Sequence, residues 1–296
     1  MKKAFKLLLI PLLFLTACNN NQTESSDPSS ESIKAPIEIE ATSEYEKEDI
    51  IIHRDILKIV GEFYTPKNSK DLFPLVICSH GFGGNMSSTR DVAISFVKEG
   101  VASFVFDFIG GGTSIKSDGQ MTEMSVLTEA KDLNTVIDEL KTYENIDPNN
   151  IFLLGQSQGG FVSTYCACTR DDIKALMAFY PAYCIRDDAK KAYDSVDKVP
   201  ATYSVLGFAT VGKIYYVDAV SFDIYELMEN YQNNVLLLHG TADNVVPYSY
   251  AVKASETFPN VEFITYQNAG HGFSGQDNTD SINRSITFLK ENLLLK

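Results

Sequence analysis

The chain has 296 residues, room for one sizeable α/β domain or two small ones, and its 44% hydrophobic and 22% charged residues are ordinary for a globular protein. A formal net charge of −14 argues against nucleic acid, whose phosphates a binder must meet with Lys and Arg. That charge says little about a small neutral substrate.

At the N-terminus, Met1-Lys-Lys-Ala-Phe-Lys6 is a positive segment, followed by an apolar run from Leu7 to Leu15 that Pro11 interrupts. Nine residues cannot cross a bilayer core, which needs ~20 in helical form. Leu15-Thr16-Ala17-Cys18 resembles a bacterial lipobox, with small residues where a signal peptidase needs them. That resemblance implies cleavage before Cys18, acylation of its thiol, and an exported protein held to a membrane by lipid without a spanning helix. Residues 19–49 then turn to Asn, Gln, Ser, Thr, Pro and Glu. Nine acids against Lys34 and Lys47 give this stretch a net −7 and leave −10 for residues 50–296. With little to bury, it is expected to be a disordered acidic tether, although the chain from Ile37 could begin a first strand.

From residue 50 onward apolar strand runs recur, at 50–53, 56–64, 73–80, 101–108, 150–155, 173–181, 234–240 and 261–267. Several are near-continuous, as strands buried on both faces of a parallel sheet should be. Between them lie helical patterns. Val126, Ala130, Leu133, Ile137 and Leu140 fall at spacings of four, three, four and three, one apolar stripe. Asp147-Pro-Asn-Asn150 reads as the turn closing that unit. The order of elements predicts a three-layer α/β/α sandwich of about eight mostly parallel strands over 50–296. Some fifty residues between Pro181 and Asn234, rich in Tyr and Phe, exceed what one strand–helix–strand unit needs. They are expected to form a lid over about 182–230.

Beyond Cys18 there are four cysteines. Cys78 lies in an apolar strand and reads as core. Cys166 and Cys168, two apart on a helix, point to different faces and make a poor metal pair. An exported location would permit a disulfide to Cys184, but nothing demands one, and structural thiols are expected. No metal site is expected.

The segment Gly155-Gln-Ser-Gln-Gly159 follows an apolar strand and precedes a helix, the context of a nucleophile elbow. A hydroxyl ionises poorly at neutral pH and needs a base. Of four histidines, His53 sits in an early strand, while His80 and His239 each end a strand. His271 stands in a loop after the last strand, and Asp243 follows the strand ending at Gly240. Ser157, Asp243 and His271 therefore occur in the chain order of a Ser–acid–His triad, each on the C-terminal side of a strand. An oxyanion hole needs two N–H donors. Gln158, after the nucleophile, would give one, and Phe82 in Cys78-Ser-His-Gly-Phe-Gly-Gly-Asn85 the other. Gly155 and Gly159 would relieve crowding at the elbow, and Gly81, Gly83 and Gly84 would let the other loop approach closely. His80 then reads as a loop-orienting residue.

The motifs HGFGGN, GQSQGG, HGTADNVVP and AGHGF resemble the α/β-hydrolase superfamily over residues 50–296, and more closely bacterial cinnamoyl/feruloyl-type acyl esterases. The resemblance implies cofactor-free hydrolysis of a small-molecule ester through an acyl-enzyme, with Ser157 attacking, His271 shuttling the proton and Asp243 orienting it. It also implies a lid covering the acyl pocket. Gln156 stands where those esterases often carry histidine, and the loop Phe108-Ile-Gly-Gly-Gly-Thr-Ser114 departs from their pattern. Two other readings stay open: a serine peptidase of the prolyl-oligopeptidase type, and a non-catalytic binding protein on a hydrolase fold.

Overall fold

The computed structural model describes residues 39–67 and 72–294. The signal segment 1–18 with Cys18, and the tether as far as residue 38, lie outside the described residues. An eight-stranded sheet runs in the order β1-β2-β4-β3-β5-β6-β9-β10. Its strands are β1 (Tyr45–Arg54), β2 (Leu57–Pro66), β3 (Phe73–Ser79), β4 (Ala102–Phe106), β5 (Ile146–Gln156), β6 (Ala175–Phe179), β9 (Asn234–Gly240) and β10 (Val261–Tyr266). The β1–β2 and β2–β4 pairs are antiparallel, and all pairs from β4 to β10 are parallel. This is the α/β-hydrolase fold, a mostly parallel sheet between two helical layers.

The continuous apolar runs follow from burial on both faces. In β3, Leu75 and Ile77 face one core while Val76 and Cys78 face the other; β5 divides Ile151 and Leu153 from Phe152 and Leu154 in the same way. The first core is covered by α2 (Val126–Leu140) and α3 (Gln158–Thr169), the second by α1 (Arg90–Lys98) and α8 (Gly275–Leu294). The α2 stripe is buried throughout. Its start is fixed by a capping box, in which Ser125 Oγ accepts the Thr128 N–H and Thr128 Oγ1 accepts the Ser125 N–H.

Two boundaries differ from the sequence expectation. The first strand begins at Tyr45, inside the expected 19–49 tether and within the part from Ile37 where a strand could begin, because Tyr45–Asp49 pair with Pro66–Glu62 and the Tyr45 ring packs on Tyr64. Backbone pairing and one aromatic contact outweigh the polar composition. Asp147–Asn150 lie inside β5: Ile146 pairs with Phe73 and Ile151 with Leu75, so four residues bulge out between the two contacts. In the long insertion the structure holds α4 (Ile185–Ala192), a hairpin of β7 (Thr202–Val205) and β8 (Ala209–Gly212), α5 (Lys213–Val220) and α6 (Ile224–Met228). The last parallel unit adds α7 (Tyr248–Thr257) between β9 and β10. Among the described residues no helix is long and apolar enough to cross a membrane.

Glu62 ties α1 to the antiparallel edge. Its buried carboxylate accepts hydrogen bonds from Arg90 Nε (2.7 Å), Arg90 Nη2 (3.1 Å) and Tyr64 Oη (2.6 Å), with Lys47 Nζ at 3.0 Å. Burial alone would raise its pKa, but Arg90, Tyr64 and Lys47 outweigh it and hold the carboxyl at about 2. A carboxylate with a depressed folded-state pKa stabilises the fold above its unfolded value and loses that contribution as pH falls through the folded one. Glu62→Gln is therefore expected to lower stability at pH 7 by at most about 3 kcal/mol, since its partners are part-exposed, and to flatten the loss between about pH 4.5 and 2. Urea unfolding midpoints across that pH range check it.

Candidate active site

Ser157 sits between β5 and α3 with φ 53° and ψ −119°, a backbone region that a residue with a Cβ rarely enters. Its N–H donates to Phe179 O, and its carbonyl accepts from Ala182 N and Phe161 N. These bonds hold the turn while Oγ points to the cavity above the sheet's C-terminal edge. The elbow glycines are required by space: a Cβ on Gly155 would lie 2.2 Å from Gly159 O, and one on Gly159 2.3 Å from His80 O. The β3 loop lies directly on the elbow, since a Cβ on Gly81 would come 3.1 Å from Ser157 Cβ; Gly83, with φ 69°, turns that loop away.

The structure brings the three separated residues together. His271 Nε2 is 3.0 Å from Ser157 Oγ, and His271 Nδ1 is 2.8 Å from Asp243 Oδ2. Asp243 is buried, and its other oxygen accepts the N–H groups of Val245 (2.9 Å) and Val246 (2.8 Å). Burial pulls its pKa up, yet hydrogen bonds from His239, His271 and the Val246 N–H prevail and keep the carboxyl well below the usual range. An ionised Asp243 accepts from Nδ1–H, which leaves Nε2 free to accept the Ser157 proton. That is the geometry of a general base on a nucleophile. Tyr180, with φ 37°, backs His271 edge-on at 4.9 Å between centroids.

The remaining histidines are placed otherwise. His80 is buried: its Nε2 accepts the Phe108 N–H and its Nδ1 donates to Gly81 O, so it clamps the β3 loop to the β4 loop. Burial lowers its pKa, in keeping with a neutral ring. His239 Nε2 donates to Val246 O at 3.0 Å and lies 3.4 Å from Asp243 Oδ2. His53 is exposed on β1. The loop 108–114 carries three glycines because it runs backbone to backbone with the β3 loop, where Gly83 N donates to Gly111 O.

Phe82 and Gln158 flank Ser157 at a cavity of about 490 Å³. Gln158 opens α3, where first-turn N–H groups have no intrahelical acceptor, and among the described residues the Phe82 N–H donates to no protein group. The insertion forms much of the cavity wall: Ile185, Ala189, Tyr193, Tyr203, Val205 and Tyr215 line it, with Asp188 the one charged side chain among the described residues. Cys78, Cys166, Cys168 and Cys184 are free thiols, and burial raises the pKa of each. Among the described residues no cluster of His, Cys, Asp and Glu has the form of a metal site.

One part of the site was missed in the sequence. The buried Gln158 side chain donates from Nε2 to Glu129 Oε2 (2.8 Å) and accepts at Oε1 from Tyr215 Oη (2.6 Å). The available signal was Glu129 itself, three residues after Val126 and, with Asp132, one of two acids on the buried face of α2.

Comparison with known proteins agrees with this architecture. The family model described as Serine aminopeptidase, S33 matches residues 71–206, and one described as TAP-like protein matches 223–292. An uncharacterized protein, YfhR, of Salmonella typhi is 28% identical over 183 residues, covering 60% of this chain and 57% of its own. The match thus spans little more than half the length of that relative. Among solved structures, Est1E from Butyrivibrio proteoclasticus with ferulic acid bound has TM-score 0.76 and 25% identity, over 83% of this chain and all of that one. Acetyl xylan esterase 1 from a Thermoanaerobacterium species shares the fold, with TM-score 0.63 and 18% identity over 85% and 87%. The two family models and the solved structures together support the α/β-hydrolase superfamily as the relationship of this fold.

Proposed function

We propose that the protein is a serine carboxylic-ester hydrolase working through an acyl-enzyme. The observation that carries this reading is the hydrogen-bonded series Ser157–His271–Asp243 opening on a largely apolar cavity. His271 Nε2 takes the Ser157 proton as Oγ attacks the ester carbonyl, and the carbonyl oxygen, now negative, moves onto the Phe82 and Gln158 N–H groups. Collapse of the intermediate expels the alcohol, which takes the proton from Nε2. Water, activated by the same nitrogen, then releases the acid and restores Ser157. No cofactor enters these steps.

Aromatic and aliphatic walls suit the acyl half of the substrate, and the similarity to Est1E, whose structure holds ferulic acid, supports hydroxycinnamate esters, acylated saccharides or other small esters. A peptidase is the second reading, favoured by the matching family's description. Against it, among the described residues the cavity offers one carboxylate, Asp188, to a peptide's amino terminus. We also propose, from Leu15–Cys18 alone, that the protein is exported and acylated at Cys18, so that metabolic palmitate labelling is lost in Cys18→Ala.

The test is turnover of nitrophenyl acetate, butyrate and octanoate, methyl ferulate and an aminoacyl anilide by protein lacking residues 1–18. Ester cleavage is expected to exceed anilide cleavage by at least tenfold; the reverse order establishes the peptidase. No turnover and no fluorophosphonate labelling would leave a binding protein.

A further inference from the structure

The two residues assigned to the oxyanion hole are joined through their side chains by one residue of the insertion. Tyr215 lies on α5, and its ring packs against Phe82 at 5.7 Å between centroids while its hydroxyl donates to Gln158 Oε1 at 2.6 Å. All three line the cavity beside Ser157. Gln158 is held at its other end too, since Nε2 donates to Glu129 Oε2, with Met124 Sδ at 3.5 Å. Burial holds the Glu129 carboxyl well above the usual range. One helical turn beyond Tyr215, Asp218 accepts from Ser125 Oγ, the cap of the helix that carries Glu129. A closed circuit results, running α5–Gln158–Glu129–α2–Ser125–Asp218 and back to α5. On its far side Phe82 also meets Phe208 of the β7–β8 hairpin, at 5.8 Å between centroids.

Local structure alone does not set both donors. The Gln158 N–H is placed by the start of α3, and the Phe82 N–H by a glycine-flanked loop whose own bonds, through His80 and from Gly83 N to Gly111 O, tie it to the β4 loop and not to α3. A donor misplaced by a fraction of an ångström loses much of its stabilisation of a developing oxyanion. One rigid side chain touching both residues fixes their separation, and a two-torsion aromatic does so at small entropic cost.

We propose that Tyr215 is a positioning residue that sets the oxyanion hole from the insertion, so that the lid and the catalytic donors move as one unit. This rests on the ester-hydrolase reading and on Phe82 and Gln158 as its donors. Because Tyr215 acts on the transition state, its hydroxyl should count in kcat and in the binding of a tetrahedral adduct, and little in the binding of ground-state substrate.

The experiment compares wild type, Tyr215→Phe, Gln158→Met and the double variant. In each, nitrophenyl butyrate kinetics are measured beside the inhibition constants of a trifluoromethyl ketone, which adds Ser157 Oγ to form an oxyanion, and of the matching thioether-linked methyl ether, which does not. Tyr215→Phe keeps the ring on Phe82 and removes one hydrogen bond. It is expected to lower kcat and trifluoromethyl ketone affinity together by roughly tenfold, with KM and ether affinity within twofold of wild type. The double variant should lose no more than Gln158→Met alone, since both substitutions break the same bond. Equal loss of ketone and ether affinity, an additive double variant, or unchanged kcat in Tyr215→Phe would each overturn the proposal while leaving the hydrolase reading intact. Absence of fluorophosphonate labelling in wild type would overturn both.

Discussion

Ser157→Ala is expected to lose ester turnover by roughly five to six powers of ten and to abolish fluorophosphonate labelling, with the fold unchanged. Oγ is the nucleophile in the proposed mechanism, and no neighbouring group can substitute for it. Among the described residues Oγ bonds His271 Nε2, so removing it leaves no buried partner unsatisfied: His271 is part-exposed and keeps its bond to Asp243. The elbow itself is held by backbone bonds from Ser157 N and to Ser157 O, which alanine retains. Alanine also keeps the Cβ that makes φ 53° unfavourable, so the melting temperature should stay close to wild type. Ser157→Gly separates the two effects. It should be equally inactive yet more stable by about 1 kcal/mol, because glycine enters this region without steric cost. Calorimetry with a slow-substrate assay checks both variants, and substantial residual turnover in either would remove Ser157 from its proposed role.

What could be read before folding was whatever depends on local sequence. The inner strands of the large sheet announce themselves because both faces are buried, which turns alternation into unbroken apolar runs such as Ile151–Leu154. The grouping of Ser157, Asp243 and His271 was legible because the fold sets each after a parallel strand, β5, β9 and β10 in turn, so chain order stands in for distance. The β7–β8 hairpin was not. Its turn is Leu206-Gly207-Phe208, the first two at positive φ, where a leucine gives no turn signal of the Asn-Gly kind, and its strands are four residues each. Phe208 at its end looked like any apolar residue, though it reaches the Phe82 ring. The Gln158–Tyr215–Glu129 circuit was beyond reach for a different reason. Its bonds join residues 57 and 29 positions apart, and no periodicity relates a lid helix to the N-terminus of α3. The early start of β1 shows the same limit on a smaller scale, since Glu46, Glu48 and Asp49 carry no strand signal and are ordered by the strand beside them.

Asp243→Asn is expected to cost about a thousand- to ten-thousandfold in kcat/KM while leaving ester binding nearly unchanged, and the structure dictates which way the amide must turn. Oδ1 of Asp243 accepts two backbone N–H groups, from Val245 and Val246. An asparagine must keep its carbonyl oxygen there, because turning its NH2 toward two N–H donors would leave all of them unsatisfied in a buried site. Its NH2 then faces His271 Nδ1, in the position where Oδ2 accepts at 2.8 Å. A donor there makes Nδ1 the acceptor and moves the ring proton to Nε2, which then points N–H at Ser157 Oγ and cannot take its proton. His239 adds a second conflict, since its Nε2–H, shared between Val246 O at 3.0 Å and this position at 3.4 Å, would confront the new NH2. Stability should fall as well, because the depressed pKa of Asp243 marks a carboxylate that favours the fold above its unfolded value and loses that contribution as pH falls. Asp243→Ala removes the wrong donor along with the right acceptor, so His271 can again populate either tautomer and activity should exceed that of Asp243→Asn. Steady-state kinetics of the two variants at one pH decide the matter: Asn above Ala would mean that Asp243 acts through its place in the loop rather than through the tautomer it imposes on His271.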